Sequence, residues 1–155
     1  MVSIRAMEAE DIDAILKLAA ETPEAPQWDR TAYERILGPE NSSPSSRTAW
    51  VAVSGPDLLG FAVDHLVADV CELESIVVAK SARRKGIGKA LLKAVGSWSL
   101  ASGARKLELE VRAGNVPAIE FYESTGLLRE GLRRKYYCDP EEDAVLMGRH
   151  LYSDD

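Results

Sequence analysis

One abrupt change of character near the middle of the chain limits the fold more than any other feature. The β-branched run Ile76-Val77-Val78 reads as the end of a buried strand, and Arg83-Arg84-Lys85-Gly86-Ile87-Gly88-Lys89 follows almost at once. Behind it Ile87, Ala90, Leu91, Ala94, Val95 and Trp98 fall on one face of a helix. A strand that turns through glycines into an amphipathic helix belongs to an α/β sheet, and the early hairpins make it neither a simple doubly wound fold nor a barrel. The same junction suggests chemistry. Gly86 and Gly88 let a ligand reach the backbone, and the first helical turn offers free N–H groups and the positive end of its dipole. With Arg83, Arg84, Lys85 and Lys89 around it, the turn reads as a pyrophosphate cradle. It is not a Walker A loop, because Ala90 follows Gly88-Lys89, nor a dinucleotide fingerprint, because Leu91 stands where a third glycine belongs. What remains is R-x-x-G-x-G, with a plain glycine turn into a basic helix as the alternative.

Charge separates the possible partners. The 155 residues carry a net charge of -6, yet residues 83–89 hold four basic residues and no acid, and residues 129–135 hold four basic residues and one acid. An acidic protein with two basic islands suits a small polyanion better than a nucleic-acid backbone. Cys71 and Cys138 form no CxxC pair, and His65 and His150 are the only histidines, so no metal site is expected. The cysteine usage suits a reducing cytoplasm, and no apolar run approaches the ~20 residues of a membrane span. The length fits one domain over residues 1–155.

Along the chain the pattern predicts a short strand at 2–6, a helix at 8–20, a second helix around Tyr33, Ile36 and Leu37, and a Ser/Pro-rich loop at 39–47. Strands at 48–53 and 58–67 flank a turn at Ser54-Gly55-Pro56-Asp57, and a third covers 71–79. After the central helix come a strand at 106–111, a short helix capped by Asn115, and strands at 127–137 and 144–151. The expected architecture is a mixed sheet of about seven strands with about four helices.

Two further segments carry candidate chemistry. On residues 106–112, Leu107, Leu109 and Val111 share one face while Lys106, Glu108, Glu110 and Arg112 share the other. A charged face on an interior strand is an exposed edge or a cleft wall, and Glu110 sits at the C-terminal end, where open α/β sheets bind ligands. Taken alone, Glu110 reads first as a solvated carboxylate and only second as a catalytic base. Tyr122 lies three residues after Ile119, on the same helical face. It reads either as a packed core tyrosine or as a phenol able to protonate a leaving thiolate.

Residues 71–126 resemble the core of the GNAT superfamily of acetyl-CoA-dependent N-acetyltransferases, whose pyrophosphate motif is R-x-x-G-x-G. Leu109-Glu110-Val111-Arg112-Ala113-Gly114-Asn115, Ala118-Ile119, Phe121-Tyr122-Glu123, Arg133-Arg134-Lys135-Tyr136-Tyr137 and Glu142-Asp143-Ala144-Val145-Leu146-Met147 are similar to the RimI-type Nα-acetyltransferases. Pro26-Gln27-Trp28 with Tyr33 resembles that group's Pro-Trp segment. The resemblance implies a GNAT (acyl-CoA N-acyltransferase) fold with acetyl-CoA as co-substrate. The backbone of Ile76, Val77 and Val78 would pair with the pantetheine arm, residues 83–89 would hold the pyrophosphate, and Asn115 would contact the coenzyme. Glu110 would be the general base and Tyr122 the general acid, with Trp28, Tyr136 and Tyr137 on the acceptor side. The implied acceptor is a protein N terminus, such as that of a small-subunit ribosomal protein. Ala79-Lys80, Leu127 and Gly114 stand where the group usually has Asp-Pro, Phe and Ser, and the 39–47 stretch is longer.

The chemistry itself favours an α-amine. At neutral pH an α-amino group with a pKa of about 7.7–8.0 loses its proton for ~1 kcal/mol, against ~4 kcal/mol for a lysine near 10.4. No GxSxG signature is present and neither cysteine has a neighbouring histidine, so direct attack by the amine is expected. Rival readings are an acetyltransferase of a small amine or antibiotic and a non-catalytic acyl-CoA-binding module.

Overall fold

The computed structural model describes residues 1–42 and 45–152. In chain order it contains β1 (Ser3–Ala6), α1 (Ile12–Ala20), α2 (Arg30–Ile36), β2 (Ser45–Ser54), β3 (Asp57–Val67), β4 (Val70–Val78), α3 (Ile87–Ala101), β5 (Lys106–Arg112), α4 (Val116–Ser124), β6 (Leu128–Tyr137) and β7 (Glu142–His150). The strands form one sheet in the order β1-β2-β3-β4-β5-β7-β6. Every neighbouring pair is antiparallel except β4 and β5, which run parallel because α3 carries the chain back between them. The predicted order of elements agrees with this, with boundaries shifted by up to four residues. The helix expected from residue 8 begins as a 3-10 turn at Ala9–Asp11 and becomes α1 only at Ile12, and β2 begins three residues early, inside the expected 39–47 loop. Ser43 and Pro44 of that stretch lie outside the described residues. Before them Asn41 pins the chain, donating to the Ile36 and Arg47 carbonyls and accepting from the Arg47 amide at 2.7 Å.

Helices cover both faces. On one side α3 and α4 bury Leu91, Val95, Ile119 and Tyr122 against Cys71, Leu73, Leu107, Leu109 and Val111 of the sheet. On the other, α1 and α2 bury Ile12, Ile15 and Tyr33 against Val51, Phe61, Val63 and Val77. The strict alternation of β5 follows from this layering: its leucines and valine face α3, and its charged residues face the α1–α2 side.

The seam between β4 and β5 is the most consequential part of the topology. Only Val70, Cys71 and Glu72 pair across it, with Lys106, Leu107 and Glu108. Beyond those pairs β4 stays with β3 and β5 with β7, so the two strands splay apart toward their C-terminal ends. A bulge at Glu74, between the Val63–Ser75 and Asp64–Leu73 pairs, turns β4 within this region. Near the end of β4 the β3 backbone packs closely beneath α3: a Cβ on Gly60 would sit 2.7 Å from the Val77 carbonyl oxygen and 3.3 Å from Leu91 Cδ1. Backbone cannot give way as a side chain can, so Gly60→Ala is expected to cost about 1–3 kcal/mol. A thermal melt with an unchanged midpoint would refute this.

Candidate active site

The glycine junction forms as its residue types require. Gly86 is the N-cap of α3 with φ +79°, and Arg84 also holds a positive φ of 64°. This alternation curls the loop so that successive amides turn inward, a shape suited to an anion. No side chain caps α3, leaving the amides of Ile87, Gly88 and Lys89 for an outside partner. A Cβ on Gly88 would meet the Phe121 ring at 3.1 Å, so glycine there lets α4 close against the start of α3. Arg84, Lys85 and Lys89 are exposed and make no ion pair among the described residues. Arg83 is committed differently, donating through Nε to the Val78 carbonyl at 3.2 Å.

Beside this loop lies the seam. Ala79 donates to Leu59 at 2.8 Å, so alternation turns the Val77 backbone toward β3 and the Ile76 and Val78 backbones toward the opening. Of the three strand residues singled out in the sequence, Val77 is therefore occupied by the sheet, while its neighbours face the gap. Asn115 accepts from the Ala118 amide at 3.3 Å, which fixes the start of α4 at the same end.

Across the seam, Glu110 stands half-buried near the end of β5. Its carboxylate lies 3.4 Å from Arg133 Nε and accepts a hydrogen bond from the Tyr136 hydroxyl, which raises the phenol's pKa. Arg133 in turn lies over the Tyr136 ring, 5.1 Å from its centroid. Tyr137 is raised as well, by burial first and then by the Glu110 charge. Tyr122 is buried within the α3–α4 core, where desolvation and then the nearby Tyr137 push it up to about 12. It stays a phenol throughout the neutral range. The structure thus gathers Glu110, Tyr136 and Tyr137 into one cluster, with Tyr122 near enough to Tyr137 to feel its charge.

Trp28 belongs to a different wall. It packs 5.8 Å from the Tyr33 ring and lines a cavity of about 750 Å³ between α2 and the sheet, bounded on the far side by Arg47 and Glu74. Arg47 holds Glu74 in a two-pronged ion pair, 2.7 and 3.0 Å. Glu72 and Glu74 were not singled out from the sequence. Glu72 feels the charges of Glu74, Glu110 and Glu108, which together with burial raise its pKa. The alternation Cys71-Glu72-Leu73-Glu74 carries the same signal that exposed Glu110, a charged face on an interior strand. The second basic island also differs from a simple reading of its charge. Arg129 pairs with Glu123, Arg133 with Glu110 and Lys135 with Glu141, so this island is largely neutralised in place.

Comparison with known proteins decides the family. A model of the "Acetyltransferase (GNAT) family" matches residues 12–127, three quarters of the chain. The chain belongs to the GNAT family of acetyltransferases. Acetyl-CoA is the co-substrate of that family, and the uncompensated cations, the uncapped helix amides and the open space at Gly86 fit its pyrophosphate. A Bacillus subtilis protein assigned provisionally as a [ribosomal protein bS18]-alanine N-acetyltransferase is 28% identical over 94% of this chain and 93% of its own. The Escherichia coli (strain K12) [ribosomal protein bS18]-alanine N-acetyltransferase is 39% identical over 58% of this chain and 62% of its own. The crystal structure of the ribosomal-protein-S18-alanine N-acetyltransferase from Escherichia coli superposes with a TM-score of 0.80 at 29% identity, covering 97% of this chain and 94% of that one. The seven-stranded mixed sheet with its splayed β4 and β5 is the GNAT fold. Among the described residues no group of three or more His, Cys, Asp or Glu side chains is placed to hold a metal, and no helix is long and apolar enough to cross a membrane.

Proposed function

We propose that this GNAT enzyme acetylates the N-terminal α-amino group of a protein, with a small-subunit ribosomal protein as the acceptor class. Acetyl-CoA supplies the activated acetyl thioester. In this reading the loop at 83–89 holds the pyrophosphate, Asn115 contacts the coenzyme, and the Ile76 and Val78 backbones align the pantetheine arm along the seam. Glu110 accepts a proton from the acceptor ammonium, directly or through a water. The freed amine nitrogen bonds to the acetyl carbon as the carbon–sulfur bond breaks, Tyr122 gives its proton to the departing thiolate, and the surplus proton of the new amide nitrogen is released to restore the Tyr122 phenol. The outward-facing Val78 amide stabilises charge on the acetyl oxygen in this reading. Tyr136, Tyr137 and Trp28 line the acceptor side. The protein is one catalytic domain acting in the cytoplasm, where its acceptor is made.

The observation that carries this reading is that Tyr137 feels both a half-buried carboxylate at the end of β5, Glu110, and a buried phenol, Tyr122. One carboxylate suffices for an α-amine, whose deprotonation costs ~1 kcal/mol, and falls short for a lysine at ~4 kcal/mol. The names of the B. subtilis and E. coli relatives support the same acceptor. The test is CoA release over peptides with different N-terminal residues, beside polyamines and aminoglycosides. Saturable turnover on a peptide beginning with Ala, blocked when its α-amine is capped, is the expected result. Turnover confined to lysine side chains or to small polyamines would overturn it.

A further inference from the structure

The end of β5 is tied to the β6–β7 loop by an arrangement that the chemistry above leaves unused. Arg112 lies 3.3 Å from Glu142 and donates to the Pro140 carbonyl at 3.0 Å and the Cys138 carbonyl at 3.4 Å. Its guanidinium also stacks over the Tyr137 ring, 4.3 Å from the centroid. The second oxygen of Glu142 accepts the Gly114 amide at 2.5 Å, and the Ala113 amide donates to the Asp143 carbonyl at 2.9 Å. Gly114 is what makes room: a Cβ there would lie well inside van der Waals contact of the Glu142 carboxylate. One side chain from β5 therefore holds two loop carbonyls, a carboxylate and an aromatic face.

We propose that Arg112 is a positioning residue for the amine acceptor. With Glu142 and Gly114 it latches residues 138–142 across the open end of β5, and so fixes Tyr137 and the adjoining Tyr136 against Glu110. The inference rests on the reading of Glu110 as the base. Its particular content is that acceptor geometry, and not acetyl-CoA binding, depends on the latch. Arginine is required because only a planar fork serves two carbonyls and a carboxylate while lying flat on a ring. The ion pair itself is partly exposed and adds little to stability.

Arg112→Lys, Gly114→Ala and their double variant test this, with acetyl-CoA affinity measured by titration and amide exchange of residues 138–143 followed alongside kinetics. For the best amine acceptor, kcat/KM is expected to fall about tenfold in each single variant. Exchange in the loop should quicken, acetyl-CoA affinity should stay within about twofold, and the double variant should be no worse than the poorer single one. Faster exchange with unchanged acceptor constants would make the latch merely structural and overturn the proposal. Unchanged exchange, or an equal loss of acetyl-CoA affinity, would overturn it too. Glu110→Gln in the same assay keeps the two readings apart, because wild-type turnover there would remove the base and leave the exchange and acceptor constants to judge the latch.

Discussion

Glu110→Gln is expected to slow acetyl transfer by roughly 10²–10⁴-fold, the usual share of a general base. The substitution keeps the shape of the side chain and its ability to accept from Tyr136, and removes the basic carboxylate that Arg133 balances at 3.4 Å. Loss of a base has a signature that loss of packing lacks. As pH rises from about 7 to 9 an α-amine with pKa near 8 deprotonates in solution, so the variant should recover much of its deficit. Acetyl-CoA affinity should hold, since Arg84 and Lys85 lie on the loop after β4 and Lys89 in the first turn of α3, away from β5. Tyr122→Phe should instead lower kcat at every pH in the neutral range, because the phenol, pushed up to about 12, does not titrate there. Near-wild-type steady-state rates in both variants would refute the assignment.

The second large effect is on stability and comes from Asp64. This aspartate is wholly buried on β3, on the α3 side of the sheet. Trp50 Nε1 donates to one of its oxygens at 3.0 Å, and the other has no hydrogen-bond partner among the described residues. Burial pushes its pKa from 3.8 up to about 7, with the Trp50 bond offsetting part of the rise. The sign follows from proton counting. Between about pH 4 and 7 the folded state holds a proton that the unfolded state has released, so stability is full below this window and falls as pH rises through it. Three pH units at 1.36 kcal/mol each make the full cost about 4 kcal/mol. Asp64→Asn is expected to flatten the dependence, leaving the variant more stable than wild type at pH 8 and similar at pH 4. Parallel denaturation curves for the two proteins from pH 4 to pH 8 would refute it.

How far the sequence carries depends on which interactions are local. The α3 helix, its glycine entry and the alternation of β5 are periodic patterns within a dozen residues, and the structure reproduces them. Asp64 was invisible for the opposite reason: one acid in the run Phe61-Ala62-Val63-Asp64 does not reveal which face the helices cover. The basic count at residues 129–135 likewise said nothing of Glu110, Glu123 and Glu141, which reach it from β5, α4 and the β6–β7 loop. Arg112 stood in plain view beside Glu110, but its partners Cys138, Pro140 and Glu142 are some thirty residues away. Long-range pairing, and not residue type, is what remained unread.

The three register pairs that join β4 to β5 make the sheet two leaves bound along a short spine. At its open end the leaves share no ladder hydrogen bonds, so a long, thin molecule can slide in edgewise without breaking any. What it meets there is a ruled edge: the outward amides of Ile76 and Val78 stand about 6.6 Å apart, two strand steps. A chain entering this gap is measured along its length by backbone alone, before any side chain has touched it.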